Sequence, residues 1–121
     1  MKTTVVHAKD SDFDQGLRAF FAYRDIGVKS ASSGKIGAHV IRAVPGEGPK
    51  PEWHTHSLDF QMVYVLKGWV EFEYEDIGAV HLKAGDNVVQ PPGIKHREVR
   101  HSEDLEMLEV TSPAEFETQM A

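Results

Sequence analysis

Short runs of alternating apolar and polar residues, separated by glycine and proline, fill most of this chain. Residues 69–75 show the pattern most cleanly: Val70, Phe72 and Tyr74 fall on one face, and Glu71, Glu73 and Glu75 on the other. The three glutamates read as a solvated face. Residues 60–66 are apolar at nearly every position, as in a strand buried on both sides. Further strands are predicted at 36–44, 53–56, 79–83, 87–90, 96–101 and 105–111, with turns at Pro45-Gly46, Lys67-Gly68, residues 76–78, residues 84–86 and Pro91-Pro92-Gly93. Many short strands at even spacing predict an all-β sandwich or barrel.

The ends of the chain are less regular. Residues 1–16 are polar and mixed, and read as an arm with a short strand at 3–7 and a helical turn starting near residue 12. Residues 17–26 fit a short helix or an edge strand, with a strand from about Ala19 favoured. The Ser/Gly-rich residues 29–35 read as a loop. Ser112-Pro113-Ala114-Glu115 has the residue order of a helix start, with a serine cap, proline at the first position and glutamate three after the cap. A short C-terminal helix is therefore expected. The organisation is one domain: an arm at 1–35, a β-core at 36–111 and a helix at 112–121.

Composition narrows the chemistry. The chain has 121 residues and no cysteine, which removes disulfides, thiolate metal sites and a cysteine nucleophile. The net charge is −6 and no Lys/Arg cluster stands out, so nucleic acid is not an expected partner. No stretch has the length or composition of a signal peptide or a membrane span. A cytoplasmic location with no membrane partner is the expectation.

Two stretches carry candidate chemistry. In the first, Gly48 is followed by His54, His56, Gln61 and Gly68; in the second, Gly85 is followed by Pro91, Gly93, His96 and Arg100. Residues two apart on a strand share a face, so His54 and His56 can converge on one ion. Neutral imidazole suits zinc, nickel, copper and iron. An isolated His-x-His pair is more often an ordinary strand feature than a site. Taken together, however, the two stretches match the spacing of the paired cupin motifs. The chain resembles the cupin superfamily, in its small single-domain, metal-binding form. Gln61 departs from the glutamate usual at its position, and Arg100 from the common asparagine.

The resemblance implies a double-stranded β-helix, a jelly-roll barrel with a hollow end. It makes His96 the third imidazole of a divalent transition-metal site with His54, His56 and Gln61, the ion being Fe, Ni, Mn, Zn or Cu. Glutamine in place of glutamate leaves such a site one unit more positive, which strengthens Lewis acidity and favours an anionic oxygen ligand. Gln61 either ligates through its amide oxygen or hydrogen-bonds a metal-bound water.

Counting by twos from His96 predicts Glu98 and Arg100 on the same inward face. They then pair with each other or reach the rim. In the sharper reading, Arg100 clamps a substrate carboxylate and Glu98 is a general acid/base. His39 and His101 are expected to face solvent, and Trp53 and Trp69 to pack or to stack on a flat substrate at the mouth. Phe60, Met62, Tyr64 and Leu66 form a second apolar stripe for the arm or another subunit to cover, and the resemblance points to a homodimer.

The function expected is a metal-dependent enzyme acting on a small enolisable or carboxylate-bearing molecule. Dioxygenase chemistry stands first and redox-neutral isomerase or cyclase chemistry close behind. The alternative is a non-catalytic module that binds a small ligand around a structural metal.

Overall fold

The computed structural model describes residues 1–15 and 20–121. In chain order the strands are β1 (Asp14–Gln15), β2 (Phe21–Asp25), β3 (Gly37–Ala43), β4 (His54–Ser57), β5 (Phe60–Lys67), β6 (Trp69–Tyr74), β7 (Gly78–Lys83), β8 (Asn87–Gln90), β9 (His96–His101), β10 (Glu106–Ser112) and β11 (Glu117–Met120). A 3₁₀ turn at Ala8–Asp10 and one helical turn, α1 (Val28–Ala31), complete the set among the described residues. Among the described residues no helix is long and apolar enough to cross a membrane.

The strands form two antiparallel sheets. A six-stranded sheet has the order β1-β2-β3-β10-β5-β8, and a five-stranded sheet the order β11-β4-β9-β6-β7. Chain neighbours such as β4 and β5 thus lie in different sheets, which is the jelly-roll arrangement. The apolar faces of the sheets meet in a core of Ile41, Val63, Val65, Val70, Phe72, Tyr74, Leu105 and Met107, closed at one side by Phe20 and Phe21.

The alternation predicted for residues 69–75 holds, whereas β5 is buried on one face and not on both as expected. Gln61, Val63 and Val65 of β5 are buried, as are Val70, Phe72 and Tyr74 of β6. The opposite face of β5 is open: Phe60, Tyr64 and Leu66 remain 40%, 39% and 48% exposed. The described residues of the arm do not cover this stripe. Thr4 and Val6 instead pack over Gly27, and Phe13 lies beneath the Arg24 and Arg42 guanidinium groups.

The hairpin between β5 and β6 depends on Gly68. Its φ is +74°, and a Cβ there would meet Ser102, and Asp104 Oδ1 at 2.6 Å. Only glycine takes this conformation without strain while letting the loop after β9 approach so closely.

Three expectations at the ends are corrected. Residues 3–7 form no strand. Asp14–Gln15 pairs with β2 rather than continuing a helical turn. The segment after Ser112 is not a helix: residues 117–120 form β11, which pairs with β4. The local capping signals are overridden by sheet pairing, because β4 touches β9 at the single pair His54↔His96 and offers its other edge to a partner strand. The expected strand start at Ala19 lies outside the described residues, while β2 itself begins at Phe21.

Candidate metal centre

The sheets open at one end into a cavity of about 630 Å³. His54 and His56 come from β4, and His96 from the start of β9, so the five-stranded sheet supplies all three imidazoles. Their ligand-capable nitrogens lie within 4.8 Å of one another, a spacing at which one ion can be held. Ring centroids are 4.3 Å apart for His54 and His96, 4.8 Å for His54 and His56, and 4.9 Å for His56 and His96.

Local hydrogen bonds set the rings. His54 Nδ1 lies 2.9 Å from the Glu52 carbonyl oxygen and His96 Nδ1 lies 3.0 Å from that of Ile94. A carbonyl only accepts, so the proton sits on Nδ1 and the lone pair on Nε2. His56 Nδ1 lies 2.8 Å from the Thr118 hydroxyl on β11. That hydroxyl accepts from Nδ1–H whenever Nε2 acts as a ligand. Such outer partners orient imidazoles for metal binding. Three neutral imidazoles held this way are a chemically suitable donor set for a divalent transition ion.

The six-stranded sheet supplies the facing wall. Gln61 on β5 is buried and donates from its amide nitrogen to Glu109 Oε2 at 3.1 Å. The other oxygen of Glu109 accepts from His39 Nε2 at 2.9 Å. Burial pushes the Glu109 carboxyl up, but the His39 and Gln61 hydrogen bonds and the nearby His56 outweigh it, so the group ends below the usual carboxylate range. An ionised Glu109 fixes which end of the Gln61 amide is nitrogen. Between the sheets, the hydroxyl of Tyr74 on β6 donates to Gln90 Oε1 on β8 at 2.5 Å. Burial above all, with Asp76 nearby, holds the Tyr74 hydroxyl above its ordinary range, so it remains a donor.

Glu98 lines the cavity as anticipated, but its partner is His101, with Nδ1 2.9 Å from Oε1. His101 is buried against Phe20 and Phe21, not solvent-facing. Arg100 is not in the cavity. It points outward, with both its Nε and Nη2 donating to Glu71 and its guanidinium over Trp69. The inward count fails because β9 bulges against β6: Phe72 pairs with Glu98 but Glu71 pairs with Arg100. Val99 is the extra residue, and beyond it the faces exchange.

Other expectations divide. His39 belongs to the cavity, and Glu109 was missed although it alternates with buried Met107 and Thr111 along β10. Trp53 and Trp69 do not line the cavity among the described residues. They support Arg97 and Arg100 on the outer face. The aromatic at the mouth is Phe116, 5.2 Å from the His56 ring.

The Cupin domain family matches residues 39–111. No curated protein matches the chain. Among solved structures, KdgF from Halomonas sp. is 22% identical with a TM-score of 0.70, over 91% of this chain and 94% of that one. The polyketide cyclase RemF from Streptomyces resistomycificus is 17% identical with a TM-score of 0.76, over 99% and 86%. A Streptomyces nucleoside dehydratase is 15% identical with a TM-score of 0.68, over 100% and 92%. These likenesses establish the barrel.

Proposed function

Since the chain belongs to the Cupin domain family, we propose that it is a metal-dependent enzyme moving a proton on a small enolisable substrate, without net oxidation. The observation that carries this reading is Glu98, which lines the three-histidine cavity two positions along β9 from His96 and is held by His101.

In this reading His54, His56 and His96 would hold a divalent ion, with the amide oxygen of Gln61 as a fourth donor. When bound, a divalent ion supplies Lewis acidity that polarises a substrate carbonyl. Glu98 accepts the proton from the carbon beside that carbonyl and returns it to another substrate carbon, so no oxidant or reductant is consumed. His101 keeps the Glu98 carboxylate aimed at the cavity. Glu109 has one oxygen engaged by His39 and the other by Gln61, so it positions Gln61. The apolar side, with Phe21, Ile41, Phe72 and Met107, limits water around the substrate.

The test begins with metal analysis of tag-free protein beside His54→Ala. Near-stoichiometric metal that disappears in the variant is the expected result. Enolisable ketones are then followed by NMR in deuterated water, with oxygen uptake recorded in parallel. Deuterium incorporation without oxygen uptake supports isomerase- or cyclase-type chemistry. Oxygen uptake with exchange absent would instead establish the dioxygenase reading. Failure to retain any metal, even after reconstitution, would leave a binding module.

The homodimer is part of the same proposal. Val89, Met62 and Val110 form one row across β8, β5 and β10, beside Tyr64 and Leu108. Val89 is 55% exposed and lies on β8, an edge strand. An apolar sheet face ending in an unpaired edge suits a second copy. Sedimentation would detect the dimer, and Tyr64→Glu with Leu66→Glu would shift it to monomer.

A further inference from the structure

The charges around the cavity bear on which substrates it accepts. Glu98 and Glu109 sit on its walls and Glu115 at its mouth, and among the described lining residues there is no lysine or arginine. Glu115 binds Lys29 at 2.5 Å, which engages that lysine at the rim. Every described arginine is occupied elsewhere. Arg24 and Arg42 lie against Phe13, Arg97 binds Glu73, and Arg100 binds Glu71.

A site built to hold a carboxylate or phosphate normally offers a guanidinium, an ammonium or a nest of backbone N–H groups. Here Glu98 stands on the histidines' own sheet and Glu109 on the facing one, so both walls offer a carboxylate. An anionic substituent inside the cavity would stand near Glu98 or Glu109 in a partly desolvated space, where like charges repel strongly. Hydroxyl and amide substituents meet the opposite situation, because a carboxylate oxygen that already accepts one hydrogen bond has a second lone pair. The remaining lining, with Phe21, Tyr23, Ile41, Val63, Phe72 and Met107, suits a ring or alkyl body.

We infer that the cavity takes uncharged, partly apolar molecules bearing hydroxyl, keto or amide groups, and discriminates against substrates carrying a carboxylate or phosphate away from the chelating oxygens. This narrows the substrate class expected from the sequence, and it rests on the metal reading above.

The test uses cobalt(II)-loaded protein and three probes with the same chelating oxygens. They are 2-hydroxyacetophenone, its ring carboxamide and its ring carboxylate. The last two are nearly isosteric and differ in charge. Binding is read from the cobalt absorption bands. The carboxamide should bind about tenfold or more tightly than the carboxylate, and Glu98→Gln or Glu109→Gln should narrow that gap. Equal binding of the two, or preference for the carboxylate, would overturn the inference while leaving the metal reading intact. If the protein takes up no cobalt(II), the metal reading falls and the inference with it.

Discussion

His101 hydrogen-bonds Glu98 from three positions away on the same strand, with Nδ1 2.9 Å from Oε1. On a regular strand, residues three apart point to opposite faces. The bulge at Val99 turns both side chains inward and sends Arg100 out. One inserted residue thus replaces an arginine at the cavity wall with a histidine that aims a carboxylate.

The first prediction separates these residues. Glu98→Gln should lower kcat by about a hundredfold or more, with metal content unchanged. Arg100→Ala should leave kcat and KM within about a factor of two, because its guanidinium is spent on Glu71 at the surface. Steady-state kinetics on the substrate that the exchange assay identifies would check both.

Thr118 offers a second test. Thr118→Val removes the hydroxyl beside His56 Nδ1 while keeping strand shape and size. Metal affinity should fall about 10–100-fold, the usual cost of losing an outer partner. Competition with a chromophoric chelator measures it, and Thr118→Ser should restore most of the affinity. A purely structural role for Thr118 would not be rescued by serine.

The outer face has a pH signature. Hydrogen bonds from Arg100 and then His81 bring the Glu71 carboxyl down to about 2. A carboxyl depressed in the folded state stabilises the fold above its unfolded value, and the contribution is lost as pH falls through the folded one. The affected window is therefore from about 4.5 down to about 2. Carboxyl NMR titration should show the low value in the parent protein and a return toward the ordinary range in Arg100→Ala.

Core packing gives a fourth prediction. Leu105 is 1% exposed and sits at the end of the loop that folds over Gly68. Leu105→Ala should destabilise the protein by about 2–5 kcal/mol, measured by urea unfolding of the metal-free form. Gly68→Ala should also destabilise, since its positive φ and the close approach of Leu105 Cα at 3.1 Å leave no room for a methyl group.

Strand alternation puts His54 and His56 on one face, whereas His96 and Gln61 enter the candidate site through the resemblance to the paired cupin motifs. The same alternation in β10 pointed Glu109 inward beside Met107 and Thr111, and it went uncounted. His39 was harder to place, because its partner Glu109 lies 70 residues away and no local pattern connects them. Arg100 and His101 were misassigned for a physical reason: a single bulged residue reverses facing for everything after it. The C-terminal segment was misread because its serine, proline and glutamate are good local helix signals. The open edge of β4 is a nonlocal demand that such signals cannot register.

β11 does more than close a sheet edge. The His56–Thr118 bond spans 62 residues, and His54 meets His96 only when β9 has docked. Strands from the middle and the far end of the chain must therefore be in place together before the imidazoles converge. A partly folded chain would present scattered histidines with weak affinity for any ion. Tight metal uptake would then report that folding has reached its last strand, and the ion would be a late passenger in assembly rather than its seed.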